Sequence, residues 1–205
     1  MSIYLLKPRF QSLLRPAVAT LHAAGVTANQ VTVAACVVSV LLGLGLYLHL
    51  ALDSAASHAA LALIPLWMLL RMAFNAVDGM LAREFRQQSR LGALLNELTD
   101  VLSDAALYLP LALVAPLQAV WVGSFVVLAA MSEFAGALGP TVGASRRYDG
   151  PMGKSDRAVA VGAVALWASV APLPDAFSML MPLLAMLTAW TVVNRMRSAL
   201  VEAEA

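Results

Sequence analysis

The chain has 205 residues, of which 61% are hydrophobic and only 12% are charged, and its mean hydropathy is +0.80. Soluble domains carry about 25% charged residues, so this composition excludes a water-soluble globule and a disordered chain. The net charge of +1 excludes the basic surface of a nucleic-acid-binding protein. A single cysteine, Cys36, and three histidines exclude a disulfide framework and argue against a zinc site.

The first 27 residues differ in character from the rest of the chain. Their apolar side chains are interleaved with Lys7, Arg9 and Arg15 and with two prolines. This mixture predicts an amphipathic segment that lies on the membrane surface. A signal peptide is the alternative, but the apolar run is broken and no small-residue cleavage site follows a clean apolar core.

Six apolar stretches follow, each near the length of about 20 residues that crosses a hydrocarbon core about 30 Å thick. In chain order they are residues 29–52, 58–77, 91–115, 118–138, 158–170 and 177–193. The turns between them are short, which predicts antiparallel neighbours. We therefore expect an all-α integral membrane protein with a single domain, in which residues 28–199 form a bundle of six transmembrane helices.

The basic residues predict how this bundle is oriented. Lys and Arg occur before the first stretch, in the connections between the second and third and between the fourth and fifth, and after the sixth. The other three connections contain neither residue type. The positive-inside rule then places both termini and the two basic loops in the cytoplasm. The compact chain, without a recognisable targeting segment, favours a bacterial inner membrane.

Polar residues cluster at the cytoplasmic end of the second stretch and at the start of the third. Asn75 and Asp78 share one helix face, and Asn96, Glu97 and Asp100 follow on the next helix. A charged group in a membrane helix costs about 2.5–3.5 kcal/mol, so such a cluster indicates function. If the two helices face each other, these oxygen atoms form a ligand set for Mg²⁺ or Mn²⁺ together with substrate phosphates.

Other polar residues have simpler interpretations. A hydrogen bond to a neighbouring helix explains Asp104 or Glu133 alone as readily as a functional role does. We expect Arg71 to be a structural partner, for example of Glu133. Lys154 and Arg157 lie near a predicted helix start, where anions bind well, and are the best candidates for contact with a phosphate. The alternative for these basic residues is a role in topology and in binding anionic lipid headgroups.

Residues 75–100 resemble the signature of the CDP-alcohol phosphotransferase family, also called CDP-alcohol phosphatidyltransferases. That signature is Asp-x2-Asp-Gly-x2-Ala-Arg-x8-Gly-x3-Asp-x3-Asp. Every spacing is kept in this chain, and six of the eight signature positions match. The matching residues are Asp78, Gly79, Ala82, Arg83, Gly92 and Asp100. The first and third signature aspartates are replaced by Asn75 and Asn96.

The resemblance implies a reaction and roles for these positions. The family transfers a substituted phosphate from a CDP-linked donor, usually CDP-diacylglycerol, to an alcohol and releases CMP. By position, Asp78 would bind the divalent metal and Asp100 would be the general base. Gly92 would let the two helices approach each other. The residues implied in holding the cytidine diphosphate are Gly79, Ala82 and Arg83.

The two replacements raise an alternative function. Asn75 and Asn96 keep a carbonyl oxygen but lose a negative charge each, which should weaken metal binding, with Glu97 the nearest compensating acid. The chain is therefore expected to be a phospholipid-synthesising transferase or, alternatively, a CDP-lipid-binding protein of weak or no activity. A small transporter is a third hypothesis. A homodimer is compatible with such a bundle, although nothing in the sequence specifies its interface.

Overall fold

A computed structural model of the chain describes residues 6–53 and 57–204, and within these ranges the chain forms seven α-helices joined by turns and short 3-10 segments. The prediction of an all-helical protein is confirmed. The helices are α1 (Leu6–Ala23), α2 (Ala28–Leu52), α3 (Leu63–Glu84), α4 (Arg90–Tyr108), α5 (Ala119–Ala137), α6 (Lys154–Val170) and α7 (Leu180–Ala203).

Side-chain hydrogen bonds to the backbone cap the first turns of α2, α4 and α6. The Thr27 side chain accepts the backbone N–H of Gln30, and the Gln30 side chain accepts that of Thr27, so a complete capping box starts α2. Ser89 accepts the backbone N–H of Gly92 at 2.9 Å and starts α4. Asp156 accepts the backbone N–H of Gly153 at 3.0 Å at the start of α6. The helix ends that carry polar residues are therefore sharply positioned.

Four helical segments of the described chain are long and apolar enough to cross a membrane. They are Ala28–Leu52, His58–Glu84, Ala119–Ala137 and Asp175–Ala203. The prediction of six such segments is therefore not confirmed by length and composition. The other two predicted spans correspond to α4, which carries Glu97, Asp100 and Asp104, and to α6, which has only 17 residues.

The N-terminal helix α1 packs against the end of the bundle where α2 begins and α3 ends. Val18 is fully buried there, in a small cluster with Val31, Val77 and Leu81. On the exposed side, Arg15 donates two hydrogen bonds to Glu84 of α3. An amphipathic helix is thus present where one was predicted, although residues 1–5 of the predicted segment lie outside the described residues.

The centre of the fold is α2, which packs against both α3 and α4. Small or short side chains recur every four residues along its buried side, at Val31, Ala35, Ser39 and Gly43, and small residues let membrane helices approach closely. The backbones of α3 and α4 hardly touch each other. The expectation that these two helices face each other directly is therefore wrong, and only their side chains bridge the space between them.

The closest approach in this packing predicts a contrast between two glycines of α2. A Cβ on Gly43 would collide with the backbone carbonyl of Ala106, whereas a Cβ on Gly45 would meet nothing within 4 Å. We expect Gly43→Ala to lower the free energy of unfolding by about 1–3 kcal/mol. Gly45→Ala should leave it unchanged or raise it by up to about 1 kcal/mol, because alanine favours the helix. Thermal unfolding in detergent measures both, and equal melting temperatures would contradict this packing.

Candidate functional site

A buried arginine connects α3 to α4. The side chain of Arg71 is only 7% exposed and donates to Asp104 Oδ1 at 2.6 Å and to Asp100 Oδ1 at 2.9 Å. It also donates to the backbone carbonyl of Asp100 at 3.3 Å. The planar guanidinium thus fixes both carboxylates at once. This corrects the expectation that Arg71 pairs with Glu133.

The second oxygen of Asp100 faces α6. Asp100 Oδ2 forms an ion pair with Lys154, the first residue of α6, while the Asn75 side-chain amide lies 3.5 Å from Asp100 Oδ1. The Lys154 side chain is 33% exposed and has four rotatable bonds, so it is the mobile partner of this carboxylate. Residues from α3, α4 and α6 therefore converge on one carboxylate.

Asp78 is the second carboxylate of the site. It is buried, and its Oδ2 accepts a hydrogen bond from the Thr32 hydroxyl of α2 at 2.6 Å. The charges of Asp100 and Lys154 are close enough to act on it. The structure thus brings Asn75, Asp78 and Asp100 into one region between α2, α3 and α4.

The glycines of the sequence motif make room for polar side chains. A Cβ on Gly79 would come within 2.9 Å of Arg83 Nη2, so the exposed Arg83 guanidinium lies over this glycine at the end of α3. Ala82 packs beside it against the small apolar cluster under α1. A Cβ on Gly92 would come within 2.7 Å of Asn29 Oδ1. Gly92 therefore lets α4 approach α2, not α3 as the sequence suggested.

A cavity of about 460 Å³ opens beside Asp100. Its lining includes Asn96, Glu97 and Asp100 from α4 and Lys154, Ser155 and Asp156 from α6. Glu97 forms an ion pair with Arg146, which precedes α6 and also lines the cavity. The Glu97 carboxylate is therefore paired with a cation of the cavity, and its place in the metal site stays a prediction.

Behind this cavity a single acid of α5 gathers three arginines. Glu133 accepts Arg157 at 2.6 Å and lies 3.4 Å from Arg195 and 3.5 Å from Arg146. The Arg157 side chain is 1% exposed and also donates to Ser132 and to the Met152 carbonyl. Arg157 is thus a buried structural residue outside the cavity lining, whereas Lys154, the other expected phosphate contact, lies in it.

The loop before α6 is held by its own ion pairs. Arg147 donates to Asp149 at 2.8 Å and also pairs with Glu202 of α7. The hydrogen bonds from the Arg147 guanidinium hold the pKa of Asp149 below its ordinary value. These contacts keep the loop, and hence Arg146, against the bundle.

The oxygen donors of the site can be compared with the ligands that a hard divalent cation prefers. Among the described residues, no group of three or more His, Cys, Asp or Glu side chains gathers as a metal cage. Asp78, Asp100 and the amide oxygens of Asn75 and Asn96 nevertheless have the chemistry that Mg²⁺ prefers. Mg²⁺ usually takes one or two carboxylates and completes its shell with water and substrate phosphate, so these residues fit such an ion.

Sequence reasoning missed several residues of this site. Thr32, which donates to Asp78, was not among the predicted residues, and neither were Tyr148 and Asp156, which line the cavity. The role of Glu133 could have been anticipated, because a lone acid in an apolar helix requires a charged partner. The identity of its partners depends on how α5, α6 and α7 pack.

Comparison with known proteins establishes the family. The sequence profile described as CDP-alcohol phosphatidyltransferase matches residues 25–198. The chain belongs to the CDP-alcohol phosphatidyltransferase family. It is 45% identical over 204 residues to the inner membrane protein YnbA of Escherichia coli (strain K12), covering 98% of this chain and 97% of YnbA. The family resemblance of the motif and the prediction of a membrane protein are thereby confirmed.

Solved structures share the fold. The phosphatidylinositol phosphate synthase PgsA1 of Mycobacterium tuberculosis with CDP-DAG bound aligns with a TM-score of 0.74 at 24% identity, over 90% of this chain and 92% of that one. The same enzyme in complex with manganese and citrate also gives 0.74 at 24% identity, over 90% and 88% of the two chains. At this identity the likeness establishes the shared fold.

The buried ion pairs of Arg71 predict a large effect on stability. Arg71→Met leaves Asp100 and Asp104 without their shared partner, so we expect a loss of about 3–5 kcal/mol in the free energy of unfolding. Arg15→Met removes the exposed ion pair with Glu84 and should leave the free energy of unfolding nearly unchanged, because water and salt screen such a pair. Thermal unfolding of the two variants in the same detergent compares their stabilities. Equal destabilisation would contradict a stabilising role of the buried Arg71 ion pairs.

Proposed function

We propose that this protein transfers a phosphatidyl group from CDP-diacylglycerol to a small polar alcohol and releases CMP. The observation that carries the proposal is the arrangement at Asp100. Arg71 holds one oxygen of this carboxylate, and the other oxygen is turned toward Lys154 and the cavity. A carboxylate that a buried arginine fixes on one side can accept a proton from a bound hydroxyl on the other side once the partly exposed lysine has moved away.

The end of α3 is the proposed binding place of the cytidine diphosphate. Gly79 and Ala82 keep the helix surface shallow there, and Arg83 supplies a guanidinium, whose donors suit phosphate oxygens. PgsA1, which shares the fold, binds CDP-DAG in its crystal structure. That observation supports a CDP-linked lipid as the donor here.

A groove of about 500 Å³ between α3 and α6 supports a lipid as the rest of the donor. Its polar end contains Asn75 and Lys154, close to Asp100. Its other end is lined by apolar side chains such as Met72, Val159 and Leu166. A phosphate at the polar end and an acyl chain along the apolar end would match this gradient.

Mg²⁺ or Mn²⁺ is the proposed cofactor, held by Asp78 and Asp100 together with the amide oxygens of Asn75 and Asn96. PgsA1 has been crystallised with manganese, which supports a divalent ion in this fold. When bound, the ion would neutralise the charge of the diphosphate. Glu97, which the sequence analysis also named, would join the ligand set by leaving its ion pair with Arg146.

The proposed chemistry is one displacement at the phosphorus that carries the diacylglycerol. The acceptor hydroxyl loses its proton to Asp100 Oδ2 as its oxygen bonds to this phosphorus, and the bond from phosphorus to the oxygen bridging the two phosphates breaks, so that CMP leaves with the electron pair. Before this step the Lys154 ammonium leaves Asp100 Oδ2 and binds a phosphate oxygen of the donor instead. Arg71 keeps the carboxylate in place throughout.

We also propose that all six bundle helices cross the inner membrane, with the site and both termini in the cytoplasm. The acids of α4 keep this helix out of the set of spans that composition identifies. They are largely paired inside the protein, which lowers the cost of burying them. The 17 residues of α6 extend about 26 Å, close to the hydrocarbon thickness. YnbA is an inner membrane protein, and the basic loops support this orientation.

A second candidate function is CDP-lipid binding without turnover. Asn75 and Asn96 remove two charges that would attract metal, and Asp100 is already flanked by two cations. Incubation of the purified protein with labelled CDP-diacylglycerol, Mg²⁺ or Mn²⁺ and a panel of alcohols separates the candidates. CMP formation supports the transferase, and tight binding of the lipid without CMP supports the binding protein.

Asp100→Asn is the direct test of the proposed base. We expect CMP release to fall about 100-fold or more, because proton transfer by a positioned side chain contributes about 10²–10⁴-fold. Binding of CDP-diacylglycerol should persist. Asp175→Asn removes a carboxylate from the 3-10 segment before α7 and is the matched control, which should keep its activity. Unchanged turnover in Asp100→Asn would remove this residue from the mechanism.

Asn75→Asp tests the proposed metal site. An added carboxylate raises the negative charge of the oxygen donors, so Mn²⁺ should bind on the order of tenfold more tightly. Electron paramagnetic resonance of free Mn²⁺ measures this without any turnover. Gln88→Glu, in the exposed loop between α3 and α4, makes the same change of chemistry elsewhere and should leave the affinity unchanged. A gain in both variants would indicate nonspecific attraction.

A further inference from the structure

The charges that line the cavity beside Asp100 bear on the acceptor. We infer that the acceptor alcohol is neutral or carries an amine, and that it has no phosphate group. This inference rests on the proposed transferase function, since it concerns the second substrate of the same site.

Two of the three cations in the lining are neutralised by acids of the same lining. Arg146 forms an ion pair with Glu97 and lies 3.5 Å from Glu133. Arg195 lies 3.4 Å from Glu133 and donates to the Ser132 carbonyl at 2.5 Å. The Nη atoms of Arg146 and Nη1 of Arg195 are therefore turned toward the protein's own oxygens, while Arg146 Nε is buried without a hydrogen-bond partner among the described residues.

The third cation, Lys154, is paired with Asp100 Oδ2. A further acid, Asp156, lines the same cavity and is directed to the backbone N–H of Gly153 at 3.0 Å. The Asp156 carboxylate therefore caps the helix, while the three cations of the lining are paired with other acids. The charge of Asp156 therefore offsets that of Lys154 at the start of α6.

The charge balance of the whole lining is the decisive quantity. Four carboxylates, those of Glu97, Asp100, Glu133 and Asp156, line the cavity against three cations, which leaves a net charge of −1. Behind the lining, the buried Arg157 pairs with Glu133 and the buried Arg71 pairs with both Asp100 and Asp104, and with these groups included the balance is zero. Sites that bind phosphate direct free arginine and lysine donors at the anion. A phosphorylated acceptor would instead have to break ion pairs that are partly shielded from water, where charges interact strongly.

The position of Arg146 strengthens this conclusion. Its guanidinium carbon lies 5.0 Å from the centre of the Tyr148 ring, so a cation–π contact is added to its ion pairs. Arg146 is the lining arginine that a phosphate would most readily recruit, since its side chain is 27% exposed and that of Arg195 only 2%. Two acids and an aromatic ring hold it instead.

Matched pairs of acceptors test the inference through turnover. The full-length protein in lipid nanodiscs, with CDP-diacylglycerol and Mg²⁺, is given glycerol or glycerol 3-phosphate, inositol or inositol 1-phosphate, and ethanolamine. We expect kcat/KM for CMP release to be about tenfold or more higher with the acceptors that lack phosphate. A preference for the phosphorylated members would overturn the inference while leaving the transferase function intact. No CMP with any acceptor would contradict the transferase function instead.

A binding experiment tests the inference independently of turnover. Isothermal titration calorimetry measures glycerol 3-phosphate binding to the wild type and to Glu97→Gln, which releases Arg146 from its partner. We expect the variant to bind about tenfold more tightly and the Asp175→Asn control to behave as the wild type. Equal affinity of the wild type and Glu97→Gln overturns the inference. Asp156→Asn keeps a helix-capping oxygen and should also bind glycerol 3-phosphate more tightly than the wild type. It replaces Glu97→Gln in this experiment if that variant does not fold.

Discussion

The carboxylate of Asp100 joins the three helices of the site. Arg71 of α3 binds one of its oxygens and Lys154 of α6 pairs with the other, while Asp100 itself belongs to α4. An unpaired charge in a protein interior costs several kcal/mol, so these pairings constrain how the helices can pack. The same constraint leaves one buried, rigid cation and one partly exposed cation at the carboxylate.

The packing of α2 explains why there is space for a site at all. Its small residues, from Ala35 to Gly43, allow α4 to approach it closely. With α2 packed against both α3 and α4, the latter two stay apart and only their side chains meet. Thr32 adds a hydroxyl from α2 to Asp78. The helix that carries none of the motif residues therefore determines their mutual distance.

Helix ends were predictable where apolar runs stop at turn residues and less so where polar residues continue a helix. The predicted stretch 118–138 corresponds to α5, which the structure assigns to Ala119–Ala137. The stretch predicted to end at residue 77 continues to Glu84, because the polar motif residues belong to the same helix. The stretch predicted to reach residue 115 ends as α-helix at Tyr108, where a 3-10 segment with Pro110 near its start follows.

By itself, the sequence determined the helical membrane character, the family and the motif residues from which the site was predicted. Composition and the fixed spacing of residues 75–100 within two helices are local properties of the chain. Only the tertiary structure decided which cation meets which acid: Arg71 meets Asp100 and not Glu133, and Glu97 meets Arg146. Such pairings depend on the distance and rotation of helices far apart in the chain, which spacing along the chain does not encode.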